Sequence, residues 1–227
     1  MPQNFFISSV GKKIVMAVTG VIMLTFVTAH LIGNLLVFAG AEQFNSYANF
    51  LQNLGPLLWA LRAFMLLVVT VHVCTAVWLT KENFAARPDG YICRKNIKSG
   101  FASNYMGVLG SLLATFLVFH ILHFTVNVLI YPEHSMLMTP EGYRDVYSMV
   151  LLNFKIPWIS AFYIFMMAVL CLHMWHCIQS FFQTLGVRHV YLTPIFEYGG
   201  KILAVIISLG FMSIPVSVQA GLLVGQL

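Results

Sequence analysis

TGVIMLTFVTAHLIGNLLVF, Thr19 to Phe38, is the stretch that decides the fold. It carries no charge, and about 20 apolar residues suffice to cross the hydrocarbon core of a bilayer. One histidine, His30, sits deep inside it. An imidazole among hydrocarbon side chains needs a partner, because an unpaired polar group there is costly. The same oddity recurs in three further apolar stretches, at His72, His120 and His173.

The whole chain has the composition of that stretch. Of its 227 residues, 59% are hydrophobic and 8% charged, and the mean hydropathy is +0.86. A soluble domain carries about 25% charged residues, so the chain reads as an integral membrane protein, all-α, with the lipid bilayer as its solvent. The net charge of +5 is not read as nucleic-acid affinity, since basic residues in a membrane protein mostly report orientation. Cys74, Cys93, Cys171 and Cys177 form no C-x-x-C pair and no C-x-x-C-H, which argues against covalent haem attachment. Three of them lie in apolar stretches and read as small buried hydrophobes. The first stretch is of spanning length and has no A-x-A exit, so it is expected to stay in the membrane.

Charges delimit five spans. There are 28 uncharged residues between Lys13 and Glu42, 18 between Arg62 and Lys81, 34 between Lys98 and Glu133 and 32 between Lys155 and Arg188. No charge occurs from Ile202 to Leu227. This predicts one membrane-anchor domain over residues 1–227, with a third helix from about Tyr105 and a loop between spans III and IV marked by Pro132, Pro140 and Gly142. Nine Lys and Arg fall on one side: Lys12, Lys13, Lys81, Arg87, Arg94, Lys95, Lys98, Arg188 and Lys201. Three fall on the other: Arg62, Arg144 and Lys155. Nine against three predicts a cytoplasmic N-terminus.

Depth then sorts the histidines. His30 is 17 residues after Lys13 and His120 is 15 after Tyr105, so each lies about 22–26 Å along an outward-running helix. His72 is 9 residues before Lys81, and His173 is 15 before Arg188, on inward-running helices. An outer pair, His30 with His120, and an inner pair, His72 with His173, follow. Neutral imidazole binds iron without bringing charge into lipid, which points to two bis-histidine haem sites. Gly20 and Gly110 lie ten residues before His30 and His120, near the level of the inner pair, where a flat macrocycle approaches a backbone closely. By distance along the helix alone, His123 and His176 are also eligible ligands. We read both as residues that support a ligand or touch a propionate. His134 and His189 fall in loops.

These residues resemble the di-haem cytochrome b membrane anchor of succinate dehydrogenase and fumarate reductase. The resemblance covers nearly the whole chain. It rests on TG-x9-H at Thr19 to His30, G-A-E-x-F-N at Gly40 to Asn45, FLVFHILHF at Phe116 to Phe124 and LHMWHCIQSFFQTLG at Leu172 to Gly186. It implies one haem b ligand on each of the first four helices, at His30, His72, His120 and His173, and favours His120 over His123 and His173 over His176. It implies a multi-pass subunit of a bacterial inner (cytoplasmic) membrane, serving the respiratory chain and the tricarboxylic acid cycle. A flavoprotein subunit with FAD and an iron–sulfur subunit would sit on the cytoplasmic face, with room for a higher-order oligomer of the complex. Electrons would pass between the iron–sulfur subunit and membrane menaquinone, the quinone most di-haem members use. The chain itself has neither an FAD fingerprint nor cysteine clusters for iron–sulfur centres, so the dicarboxylate chemistry belongs to the partners.

Two departures from the family pattern matter. Cys171 stands where some fumarate reductases have a proton-carrying glutamate two residues before the fourth ligand. Met16 and Ala17 stand where some members have propionate-binding polar residues. Lys12 or Lys13 could reach the inner haem by snorkelling, and Arg62, ten residues before His72, lies near the outer level. The quinone site is expected by the outer haem, with Glu42, Asn45, Tyr47 and Arg62 supplying donors. Competing readings are a quinone-linked cytochrome b of a formate dehydrogenase or hydrogenase, and a haem-free transporter using membrane histidines. The G-A-E-x-F-N stretch speaks against the first. The spans have no internal Asp or Glu and no evident repeat, which speaks against the second.

Overall fold

The computed structural model describes residues 8–86, 104–130, 132–184, 186 and 191–223. Arg87, Cys93, Arg94, Lys95, Lys98, Arg188 and His189 lie outside the described residues. Among the described residues seven α-helices follow in chain order: α1 (Ser9–Leu35), α2 (Ala41–Gln52), α3 (Pro56–Ala85), α4 (Met106–His120), α5 (Val146–Phe154), α6 (Pro157–Thr184) and α7 (Leu192–Gln219). A 3₁₀ turn, Leu36–Ala39, extends α1, and a π-helical turn, Ile121–Thr125, extends α4. Among the described residues there is no strand, only an isolated bridge between Met138 and Arg144. Five helices are long and apolar enough to cross a membrane, built on α1, α3, α4, α6 and α7.

The chain begins α1 at Ser8, whose side chain accepts the Gly11 N–H at 3.0 Å. From there α1 packs on α3, α4 on α6, and α6 along α7. The apolar surfaces facing outward, such as Leu61, Leu66 and Leu67 of α3, are those a bilayer covers.

Three expectations need correction. Charge does not end these helices. Charge spacing bounds the second span by Arg62 and Lys81, but α3 runs from Pro56 to Ala85 and contains both. Charge spacing puts the last span at Ile202 to Leu227, but α7 begins at Leu192 and ends at Gln219. Lys201 donates to Glu197 at 2.9 Å within it, four residues apart. A helix leaving a bilayer keeps its backbone bonds and can carry paired charges into the interface. The connections are also structured. Ala41–Gln52 and Val146–Phe154 are helical, so the third-to-fourth connection is more than a loop.

Those two short helices form a cap over one end of the bundle. Gly40, with φ at +105°, makes the corner into α2. Asp145 caps α5 by accepting the Ser148 N–H at 3.0 Å. The carboxamide of Asn45, 4% exposed, ties the two together. Its oxygen accepts the Tyr147 N–H at 2.9 Å, and its nitrogen donates to Asp145 Oδ1 at 2.8 Å. Burial alone would raise the Asp145 carboxyl, but donors from Ser148, Asn45 and Tyr147 outweigh it and hold the group below the usual carboxylate range. Burial, with the Asp145 charge beside it, pushes the Tyr147 phenol up.

Candidate functional site

The histidine-bearing helices are α1, α3, α4 and α6. His30 of α1 and His120 of α4 meet at the cap end of the bundle, their ring centres 6.0 Å apart and their planes at 79°. Phe26 stacks on His30 at 5.6 Å, Phe211 of α7 approaches it at 5.9 Å, and Phe116 lies 5.8 Å from His120. The Asn34 amide nitrogen lies 3.3 Å from both ring nitrogens of His30 and donates to the His30 carbonyl at 2.7 Å.

His72 and His173 lie at the other level. A Cβ on Gly20 would stand 3.6 Å from His72 Cε1, and one on Gly110 would stand 3.8 Å from His173 Cε1. Gly20 precedes His30 by ten residues on α1, and Gly110 precedes His120 by ten on α4. Ten residues of helix span about 15 Å, which separates the two levels.

Hydrogen bonds select a tautomer at His72. The Thr19 hydroxyl donates to the Val15 carbonyl at 2.8 Å, and its oxygen lies 2.9 Å from His72 Nδ1. With the hydroxyl proton committed, the oxygen accepts from Nδ1–H. The lone pair of His72 is then on Nε2, the form that binds a metal. His173 has a buried Nδ1 with no hydrogen-bond partner among the described residues, an anomaly for a polar atom in this setting.

Among the described residues, no group of three or more His, Cys, Asp or Glu side chains gathers as a bare metal ion requires. The histidines come in twos. A metal held by two imidazoles lies about 2.0 Å from each nitrogen, and each ring centre lies about 1.1 Å farther on, so the centres are about 6 Å apart. The 6.0 Å between His30 and His120 suits a planar tetradentate cofactor that supplies the remaining four ligands.

The neighbouring histidines differ. His123 is 2% exposed, and both its ring nitrogens are engaged: Nδ1 with the Tyr163 hydroxyl at 2.9 Å and Nε2 with Asn153 Oδ1 at 3.0 Å. It has no lone pair to offer a metal. His176 is half-buried on α6, one turn beyond His173.

Basic residues suggested as propionate partners have other neighbours. Lys12, 4% exposed, pairs with Glu82 and lies 4.5 Å over the Trp78 ring. Lys13 is exposed. Arg62 is exposed and lies 5.0 Å over Trp59. The residues suggested for quinone separate likewise. Glu42 and Tyr47 line an open depression of about 390 Å³ with Gln43, Ser46 and Phe50. Asn45 and Arg62 do not line it, because the Asn45 carboxamide is consumed in the cap and Arg62 stacks on its own helix.

Sequence reasoning missed Tyr163 and Phe211 as neighbours of the cap-end pair, Asn153 as a partner of His123, and Thr19 as the partner of His72. A signal existed for Tyr163: it precedes His173 by ten residues, the spacing that places Gly20 and Gly110 a level away from their histidines. No protein-family model, curated protein or solved structure matches this chain.

Proposed function

We propose that the chain is the membrane anchor and electron-relay subunit of a succinate dehydrogenase or fumarate reductase, holding two b-type haems. The observation that carries this reading is the adjacent pair His30 and His120, ring centres 6.0 Å apart; His72 and His173 lie a level away, beside Gly20 and Gly110. Two imidazoles and no carboxylate or thiolate suit an iron whose equatorial ligands come from a porphyrin. When bound, the haems supply one-electron carriers at two depths of the membrane. Thr19 orients His72, and Gly20 and Gly110 leave the backbone open beside the His72 and His173 rings. The aromatic shell of Phe26, Phe116 and Phe211 excludes water from the cap-end pair.

The N-terminus is assigned to the cytoplasm of a bacterial inner membrane, so the cap end faces outward. The inner pair then lies nearest the iron–sulfur subunit and the FAD-bearing flavoprotein, which carry the dicarboxylate chemistry. Menaquinone is assigned to the cap end, where Glu42 and Tyr47 line a depression and offer a carboxyl and a phenol to a quinone oxygen. The test is a reduced-minus-oxidised spectrum of the purified membrane protein, with pyridine haemochrome quantification. Two haems b per chain are expected, and a preparation without b-type bands defeats the proposal. A photoreactive quinone analogue is expected to label peptides around Glu42 to Phe50; labelling confined to the opposite end would remove the quinone assignment.

A further inference from the structure

His123 follows His120 by one turn, inside the π-helical segment where the Val126 N–H reaches back five residues to the Ile121 carbonyl at 2.8 Å. Such widened turns re-aim side chains and often occur at functional sites. Here the aim is across to α5 and α6, from which Asn153 and Tyr163 meet the ring. The direction of every bond can be worked out. Asn153 Nδ2 donates to the Met149 carbonyl at 2.8 Å, so its oxygen is the atom that faces His123. An amide oxygen only accepts, so His123 Nε2 carries a proton. Among the described residues no acidic group contacts this buried ring, and an unpaired charge there would be prohibitive. The ring is therefore neutral and Nδ1 is an acceptor. Tyr163 O–H donates to it at 2.9 Å. The Tyr163 oxygen then keeps its lone pairs for His120 Nδ1, which lies 3.5 Å away.

We propose that Asn153, His123 and Tyr163 form a directional hydrogen-bond chain that holds the proton of His120 on Nδ1 and sets the basicity of its Nε2. The chain rests on the di-haem reading and deepens it, making Tyr163 and His123 positioning residues for the outer haem. A ligand imidazole whose N–H is accepted by an oxygen is more basic and favours the oxidised metal. His72 obtains the same bond from the Thr19 hydroxyl within two helices. At the cap end, four residues from three segments are needed, so the chain links the cap helix α5 to the ligand.

The test is a redox titration of both b components in the purified complex, with resonance Raman spectra of the iron–histidine modes. Tyr163→Phe keeps a ring that packs 5.2 Å from Phe116 and 5.1 Å from Phe154 and deletes only the oxygen. The outer component should shift to a more positive midpoint potential, with an altered iron–histidine mode, while the inner component stays in place. Asn153→Leu, at the far end of the chain, should give a smaller shift of the same sign. Should Y163F fail to assemble, N153L carries the test alone. Unchanged outer potentials with both haems bound, or equal shifts in both components, overturn the proposal. A wild-type protein with no b component defeats the di-haem reading instead, so the two failures are distinguishable.

Discussion

Asn45→Ala should loosen the cap without unfolding the bundle. Asn45 connects segments 102 residues apart by accepting the buried Tyr147 N–H, and it donates to Asp145 at the N-terminus of α5. Truncation leaves the Tyr147 N–H unsatisfied, at a cost of about 1–3 kcal/mol, and removes a hydrogen bond to a carboxylate. Asp145 is half-exposed, so that bond is discounted to about 1 kcal/mol for solvent screening. The terms overlap, and about 2–3 kcal/mol is a reasonable total. At about 1.4 kcal/mol per tenfold, amide protection in α5 should fall roughly 30- to 150-fold, if α5 opens as a local unit. Hydrogen exchange read by mass spectrometry on peptides covering Val146–Phe154 measures this directly. Exchange in α7 should be unchanged. The reasoning is refuted if α5 exchanges at the wild-type rate in N45A. It is equally refuted if N45A and Asp145→Ala add without coupling, since residues sharing one hydrogen bond must couple.

The same carboxylate gives α5 a pH dependence. The folded pKa of Asp145 lies below its unfolded value of about 3.9, so its contribution is full above that unfolded value and is lost as pH falls through the folded one. Protection of α5 should therefore drop in acid below about pH 4, and Asp145→Asn should flatten that drop. His30→Ala or His120→Ala should abolish one b component and spare the other, while His72→Ala or His173→Ala should do the reverse; selective loss of the same component in H30A and H72A would break the pairing. Gly200→Ala should destabilise the contact of α6 with α7, because the new methyl would lie 2.5 Å from Ile178 Cγ2 and 3.0 Å from its Cβ. Ile178 is 8% exposed and stiff at χ1, so about 1–3 kcal/mol of overpacking is expected. Unfolding in mixed micelles should show it, with recovery in the G200A/I178A double variant and none needed if G200A behaves as wild type, which would disprove the clash.

Much of the bundle was legible because a bilayer leaves the backbone few choices. Within hydrocarbon each N–H and C=O must be satisfied locally, so a charge-free run of sufficient length is already a helix. Depth follows from the 1.5 Å rise, which is why counting residues separated His30 and His120 from His72 and His173. Helix ends were less legible. Arg62, Lys81, Glu197 and Lys201 all lie inside helices, because a charge tells where the lipid stops and not where the hydrogen-bond ladder does.

Composition and spacing by themselves determined the five spans, the four histidines inside them and the two levels at which they fall. Tertiary structure alone decided which side chains those histidines meet. That His123 is spent on Tyr163 and Asn153, that Thr19 selects the His72 tautomer and that Asn45 is buried in the cap are contacts between residues as many as 102 positions apart. Hydropathy and helical period report how each segment meets its solvent. They hold no information on the rotation of one helix against the next, and it is that rotation, set by side-chain packing, that brings a hydroxyl or an amide to a particular ring nitrogen.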